Sequence, residues 1–345
     1  MDDLENNGKI RVNLFHYATS ELSQDAFFAW LMQWASPEAK GLMHEYGVKF
    51  IRFIFDLCGE TVKNINSLEV IKQGGHIDIQ CRINGDTVIL IEDKVGTKQH
   101  SDQLARYRKL LDGREFSSII PLYIKTRDQS DYEAVKNEGY SVITRADLLD
   151  FFHANSEMQR RANNHILNDF VSYMEEIEES VLSYRSLPPE KWHWNSWIGF
   201  YQDLQRRLRE GHWDYVANPS GGFLGYWWHF IGNKDGEQYL QLEEAKLCFK
   251  IDGDTQEQCR SVMYEYRDHF IEEGKKRGIN IIAPQRLRAG RYTTVAVLGQ
   301  DYRVCGQDGV IDMDATVAYL SRLTSFLDQA MDDFDKNNFK KEVSR

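Results

Sequence analysis

The most constraining stretch of this 345-residue chain is Gly75-His-Ile-Asp-Ile-Gln-Cys-Arg-Ile-Asn-Gly-Asp-Thr-Val-Ile-Leu-Ile-Glu-Asp-Lys94. Ile77, Ile79, Cys81 and Ile83 alternate with polar residues, the period of a strand with one buried face. Residues 87–91 form a continuous β-branched and aliphatic run, and Asn84-Gly85-Asp86 between the two segments is a turn signal, so the stretch predicts a β-hairpin. Three of its charges sit where a buried hairpin ought not to have them: Asp78, Glu92 and Lys94. A charge flanked by isoleucine in a strand is costly to bury unless it is paired or coordinated.

The turn decides whether those charges meet. Glu92 and Lys94 are two apart and project from one face of their strand. A two-residue turn would pair Ile83 with Asp86 and send Asp78 and Glu92 to opposite faces. A three-residue turn pairs Ile83 with Thr87 and sets Asp78 opposite Glu92, because a one-residue slip flips every side chain. The three-residue turn is the expectation. Two carboxylates would then face each other across about 5 Å, with an amine one strand step away. Hard oxygen ligands of this kind suit Mg²⁺ or Mn²⁺. With a lysine able to act on water or on a developing phosphoryl charge, the set suits phosphodiester hydrolysis.

Asp78, a thirteen-residue gap, then Glu92-Asp93-Lys94 at the end of an apolar strand resembles the PD-(D/E)XK nuclease signature, with Ile77 in place of the usual proline. Upstream, SELSQDAFFAWLMQW is similar to the first helix of that core. Downstream, SDQLARYRKLL carries Gln103 and Tyr107 one turn apart, like the Gln-x-x-x-Tyr of RecB-like members, and the strand SSIIPLYIK follows. The resemblance covers residues 15–126. It implies an α/β fold with a restriction-endonuclease-like α-β-β-β-α-β core, here with a helix-rich extension and a C-terminal α+β domain. It also implies a metal-dependent nuclease: Asp78, Glu92 and the Asp93 backbone carbonyl as ligands of Mg²⁺ or Mn²⁺, Lys94 acting on water, Gln103 and Tyr107 orienting the site. An acid on the first helix often completes such a site, and Glu21 is preferred over Asp25. DNA is favoured over RNA, with repair or defence as the setting. A homodimer would suit cutting both strands of a duplex. A catalytically inactive nuclease-fold module that binds nucleic acid or a protein is the alternative.

The remaining sequence sets bounds. A net charge of −11 argues against a protein coated for scanning DNA, yet not against a basic cleft. Lys98, His100 and Arg106 directly after the Glu-x-Lys element are the candidates for phosphate contact, and His76 shares the face of Asp78. Five scattered cysteines without a Cys-x-x-Cys pair argue against zinc or a disulfide framework. Together with an acidic, polar N-terminus and no run long enough for a membrane span, they fit a cytoplasmic protein. Helices are expected over 40–58, 131–137, 159–184, 255–274 and 312–334. Leu187-Pro188-Pro189 is the linker candidate, dividing the chain into a nuclease-like domain, 1–186, and an α+β domain, 187–345, suited to substrate or partner recognition. Six of eight tryptophans fall between Trp192 and Trp228 and read as core, not as a base-stacking platform. Glu175, Glu176, Glu178 and Glu179 read as a solvated face.

Overall fold

The structure is a computed structural model that describes residues 12–62, 64–74, 77–96, 104, 116–218 and 221–343, with side chains of the last helix as far as 336. The chain is mixed α/β and divides into two compact units, Met1–Glu179 and Ser180–Arg345, each with its own sheet. The division falls ahead of Leu187-Pro188-Pro189. Those residues belong to the second unit, where Pro189 opens a short 3-10 turn and Trp192 Nε1 donates to the Leu187 carbonyl.

In the first unit the strands β1 (Leu68–Gly74), β2 (Ile77–Ile83), β3 (Thr87–Lys94), β4 (Ser118–Lys125) and β5 (Ser141–Thr144) lie in sequence order. β1 to β3 form an antiparallel meander, and β3, β4 and β5 run parallel. The sheet is therefore mixed. A parallel β3–β4 pair requires a crossover connection. The SDQLARYRKLL segment, expected to be a helix over 102–111, lies outside the described residues except for Leu104, which is helical and buried, its carbonyl accepting from Tyr140 Oη. β3 is central and covered on both faces, which explains why 87–91 reads as an unbroken apolar run.

Helix α1 (Glu21–Gln33) starts at Ser20, whose side chain accepts from the Ser23 amide. It is held by a ring cluster: Phe27 stacks on Phe170 at 3.6 Å, and Phe28 meets both Phe170 and Phe50. These rings join α1 to α2 (Leu42–Leu57) and to a later helix, His165–Leu182. Spacing predicts an apolar stripe of Phe27, Trp30, Leu31 and Trp34, but Phe28 and Met32 are more deeply buried than Trp30 and Trp34, so the stripe is rotated. The single helix expected over 159–184 is two, Ser156–Ala162 and His165–Leu182, because Asn163 adopts a left-handed conformation (φ 45°) that ends the first. The acidic face of the second helix is not simply solvated: Glu175 pairs with His153, Glu176 with His16 and Glu178 with buried Arg145.

The second unit is a six-stranded antiparallel sheet with helices Trp194–Leu208, Gln256–Arg277 and Met313–Val343. Two of its strands, His212–Val216 and Ile281–Ile282, are not evident in the sequence pattern. Its helix runs past Gly274 to Arg277, and Gly278 (φ 66°) is the terminating glycine; Gly274 instead gives room to the Ile279 carbonyl and Ile281. Trp192, Trp197, Trp213 and Trp228 are buried in this unit's core, whereas Trp227 is half-buried and Trp194 exposed, so the core reading holds for four of the six. Among the described residues, no helix is long and apolar enough to cross a membrane.

Candidate active site

The hairpin takes the register of the three-residue turn. Ile83 pairs with Thr87 and Ile79 with Ile91, which carries Asp78 to the position opposite Glu92. The turn closes through the Asp86 amide to the Ile83 carbonyl, with Asn84 and Gly85 both at positive φ (54° and 74°). Past Ile79 the ladder is replaced by a side chain: the Asp93 amide donates to Asp78 Oδ2 at 3.0 Å. Asp78 thereby braces the end of β3 as well as facing the site.

At that strand end four charged groups converge. Lys94 Nζ lies 2.5 Å from Glu92 Oε1, 3.8 Å from Glu21 Oε2 and 4.0 Å from Asp78 Oδ2, and it donates to the Asp93 carbonyl at 3.3 Å. Glu21 Oε1 also accepts from the Val95 amide. Glu92 is fully buried and Lys94 nearly so, while the Asp78 and Glu21 side chains retain 17% and 36% exposure, so the cluster opens to solvent on their side. The position at the carboxyl ends of parallel strands is where open α/β sheets place ligands.

The electrostatics follow from burial. Desolvation pushes the Glu92 carboxyl up to about 8, the nearby Asp78 adds to the rise, and Lys94 offsets only part of it. Burial would pull the Lys94 ammonium down, but Glu92, Asp78 and Glu21 outweigh it and hold Lys94 above its usual value. On the opposite face of β3, Asp93 meets α1: Gln24 Nε2 donates to Asp93 Oδ1 at 2.5 Å, and Asp25 stands close by. Burial lifts Asp25 to about 6, with Asp78 adding to it, and burial beside Asp25 lifts Asp93 well above the carboxylate range. Asp25 Oδ1 and Asp93 Oδ2 have no ordinary donor, and the two carboxyls are near enough to share a proton.

These groups suit a hard divalent cation in donor type: every candidate is oxygen, and Glu92 Oε2 is buried without a hydrogen-bond partner. Among the described residues, no three acidic, histidine or cysteine side chains already stand in ligand geometry. The cation these oxygens share here is the Lys94 ammonium. Of the residues the sequence nominates, Asp78, Glu92, Lys94, Glu21 and the Asp93 carbonyl come together. Gln103, Tyr107, Lys98, His100, Arg106 and His76 lie outside the described residues. Gln24 and the Asp25–Asp93 pair escape the sequence reading; the signal was an acid at 93 on the face that otherwise carries Ile89 and Ile91.

No curated protein and no solved structure matches the chain. The model of one family does: residues 12–183 match the PD-(D/E)XK nuclease superfamily, a span that begins before α1 and takes in the whole five-stranded sheet. An acid–acid–lysine cluster at a strand end and a family match enclosing it point the same way, and the chain belongs to the PD-(D/E)XK nuclease superfamily.

Proposed function

We propose that this protein is a divalent-metal-dependent nuclease that hydrolyses phosphodiester bonds in nucleic acid, DNA before RNA. One observation carries the reading: fully buried Glu92 touches Lys94 and stands opposite Asp78, at a place where a purely structural strand would carry aliphatic side chains. Asp78, Glu92 and the Asp93 carbonyl are the groups that would hold Mg²⁺ or Mn²⁺, with Glu21 on α1 extending the set. Such an ion would supply positive charge to the reacting phosphoryl group. Lys94, 8% exposed and reached from the Asp78 side, would hold the attacking water and offset charge developing on the phosphoryl oxygens. The buried walls keep competing water out and strengthen each charge interaction.

Gln103 and Tyr107 would orient the substrate, and Lys98, His100 and Arg106 would meet its phosphates. Five scattered cysteines without a Cys-x-x-Cys pair favour a reducing, cytoplasmic setting. A duplex substrate would call for a homodimer, and repair or defence is the role the family resemblance favours. The test is incubation with linear, circular, single-stranded and structured DNA and RNA in Mg²⁺ or Mn²⁺, beside Asp78→Ala and Lys94→Ala. Cleavage untouched by both substitutions discards the site.

A second reading has one observation in its favour. Among the described residues the acids at this strand end share the Lys94 ammonium, and no three of them stand in ligand geometry. In that case the fold binds nucleic acid or a protein partner without cutting, and the same assay returns binding without cleavage under every condition.

A further inference from the structure

One buried amide is left over by the catalytic reading. Gln24 is 5% exposed and sits one turn after Glu21 on α1. Its Nε2 donates to Asp93 Oδ1, and its Oε1 accepts from Thr126 Oγ1 at 2.6 Å, just past the end of β4. One side chain therefore ties the first helix to two parallel strand ends. Thr126 is anchored in turn: its carbonyl accepts from Arg145 Nη1, and Arg145 is gripped by Asp128 and Glu178.

What Gln24 holds is the carboxyl of the residue whose peptide the proposed site is built on. The Asp93 amide fixes Asp78, and the Asp93 carbonyl, counted among the ligands, accepts from Lys94. On the helix side, the same anchor sets the turn that carries Glu21 to Lys94 and the Val95 amide. An aliphatic residue at 93 would complete the Ile89–Ile91 face with no polar group to satisfy. A buried carboxyl there costs desolvation and is tolerable only with donors such as the Gln24 amide. Its presence makes sense if the helix and strand ends must be held to a few tenths of an ångström, the tolerance of a metal or catalytic constellation.

We propose that Gln24 is a positioning residue: it sets the Asp93 peptide and the first turn of α1 so that the oxygens of Asp78, Glu92 and Glu21 meet one cation. This rests on the nuclease reading of the same site. Loss of a group that orients metal ligands typically weakens metal affinity about 10–100-fold.

The test is Mn²⁺ binding followed by calorimetry on the whole chain, compared for the unsubstituted protein, Asp78→Ala, Gln24→Leu and Thr126→Val, with circular dichroism and melting curves recorded for each. Thr126→Val removes only the hydroxyl that orients the amide, so it carries the test if Gln24→Leu does not fold. Expected is Mn²⁺ affinity about 10–100-fold weaker in Gln24→Leu, with a smaller loss in Thr126→Val. Cleavage should recover toward the unsubstituted rate as Mn²⁺ is raised. A side chain that only stabilises the fold would lower the melting temperature and leave Mn²⁺ affinity alone; that result in folded Gln24→Leu and Thr126→Val overturns the proposal. If the unsubstituted chain shows no Mn²⁺ binding that Asp78→Ala removes, the nuclease reading itself falls and this one with it.

Discussion

Replacing Glu92 with glutamine should make the metal-free protein more stable at pH 8 while abolishing cleavage. The folded chain holds the Glu92 proton more tightly than the unfolded chain, because burial and then Asp78 raise that carboxyl from 4.5 to about 8. A group bound more tightly in the folded state costs stability as it is forced to ionise, so stability falls as pH rises from 4.5 toward 8. At about 1.4 kcal/mol per pH unit the penalty is bounded at about 5 kcal/mol above pH 8, and pocket relaxation brings the expected value to about 2–5 kcal/mol. Glutamine keeps the shape and carries no such penalty. Asp25 titrates in both chains and cancels in the comparison. Urea dependence of amide exchange in peptides from 77–94, at pH 5, 6.5 and 8 with chelator present, isolates the first unit from the second. The gain for Glu92→Gln should be near zero at pH 5 and largest at pH 8. Mn²⁺ at about one hundred times its dissociation constant should then stabilise the unsubstituted chain by about 2.7 kcal/mol and leave Glu92→Gln unmoved. A gain independent of pH, or a loss at pH 8, would refute the claim that burial governs this carboxyl.

Three further outcomes follow from the geometry. Lys94→Met should lower the cleavage rate by about 10²–10⁴-fold, measured at saturating metal, since it removes the group placed to act on water. Arg145→Met should cost about 3–5 kcal/mol in chemical denaturation, because it removes a buried guanidinium that Asp128, Glu178 and the Thr126 carbonyl all engage. Gly199→Ala should destabilise the second unit by about 1–3 kcal/mol in a melting curve, as a Cβ there would collide with the Val181 carbonyl on the preceding helix.

The hairpin shows what local chemistry fixes. Side chains in a strand alternate with period two, and Asn84-Gly85 accepts positive φ readily, so register and the facing of Asp78 and Glu92 were legible without any distant contact. The same holds for Thr144, whose side chain and Asp147 form a capping box, while the sequence leaves the cap of α1 open between Ser20 and Ser23 and the structure uses Ser20. Elements whose identity rests on neighbours were not legible. The strand His212–Val216 is a polar and aromatic pentapeptide that becomes a strand by pairing with Phe223–Asn233. The helix break at Asn163 and the pairing of Glu178 with Arg145 likewise depend on what packs alongside.

By itself, then, the chain settled that a hairpin would carry two acids and a lysine to one side of a sheet, because the spacing of residues along a strand is a local matter. Only the folded arrangement decided that Glu21 would reach Lys94, that Asp25 would turn to Asp93, and that Gln24 would bridge Asp93 and Thr126, 69 and 102 residues away. Those contacts depend on how far α1 slides along the sheet and how it rotates. That is set by rings such as Phe27 against Phe170, drawn from opposite ends of the first unit, and no local periodicity encodes it.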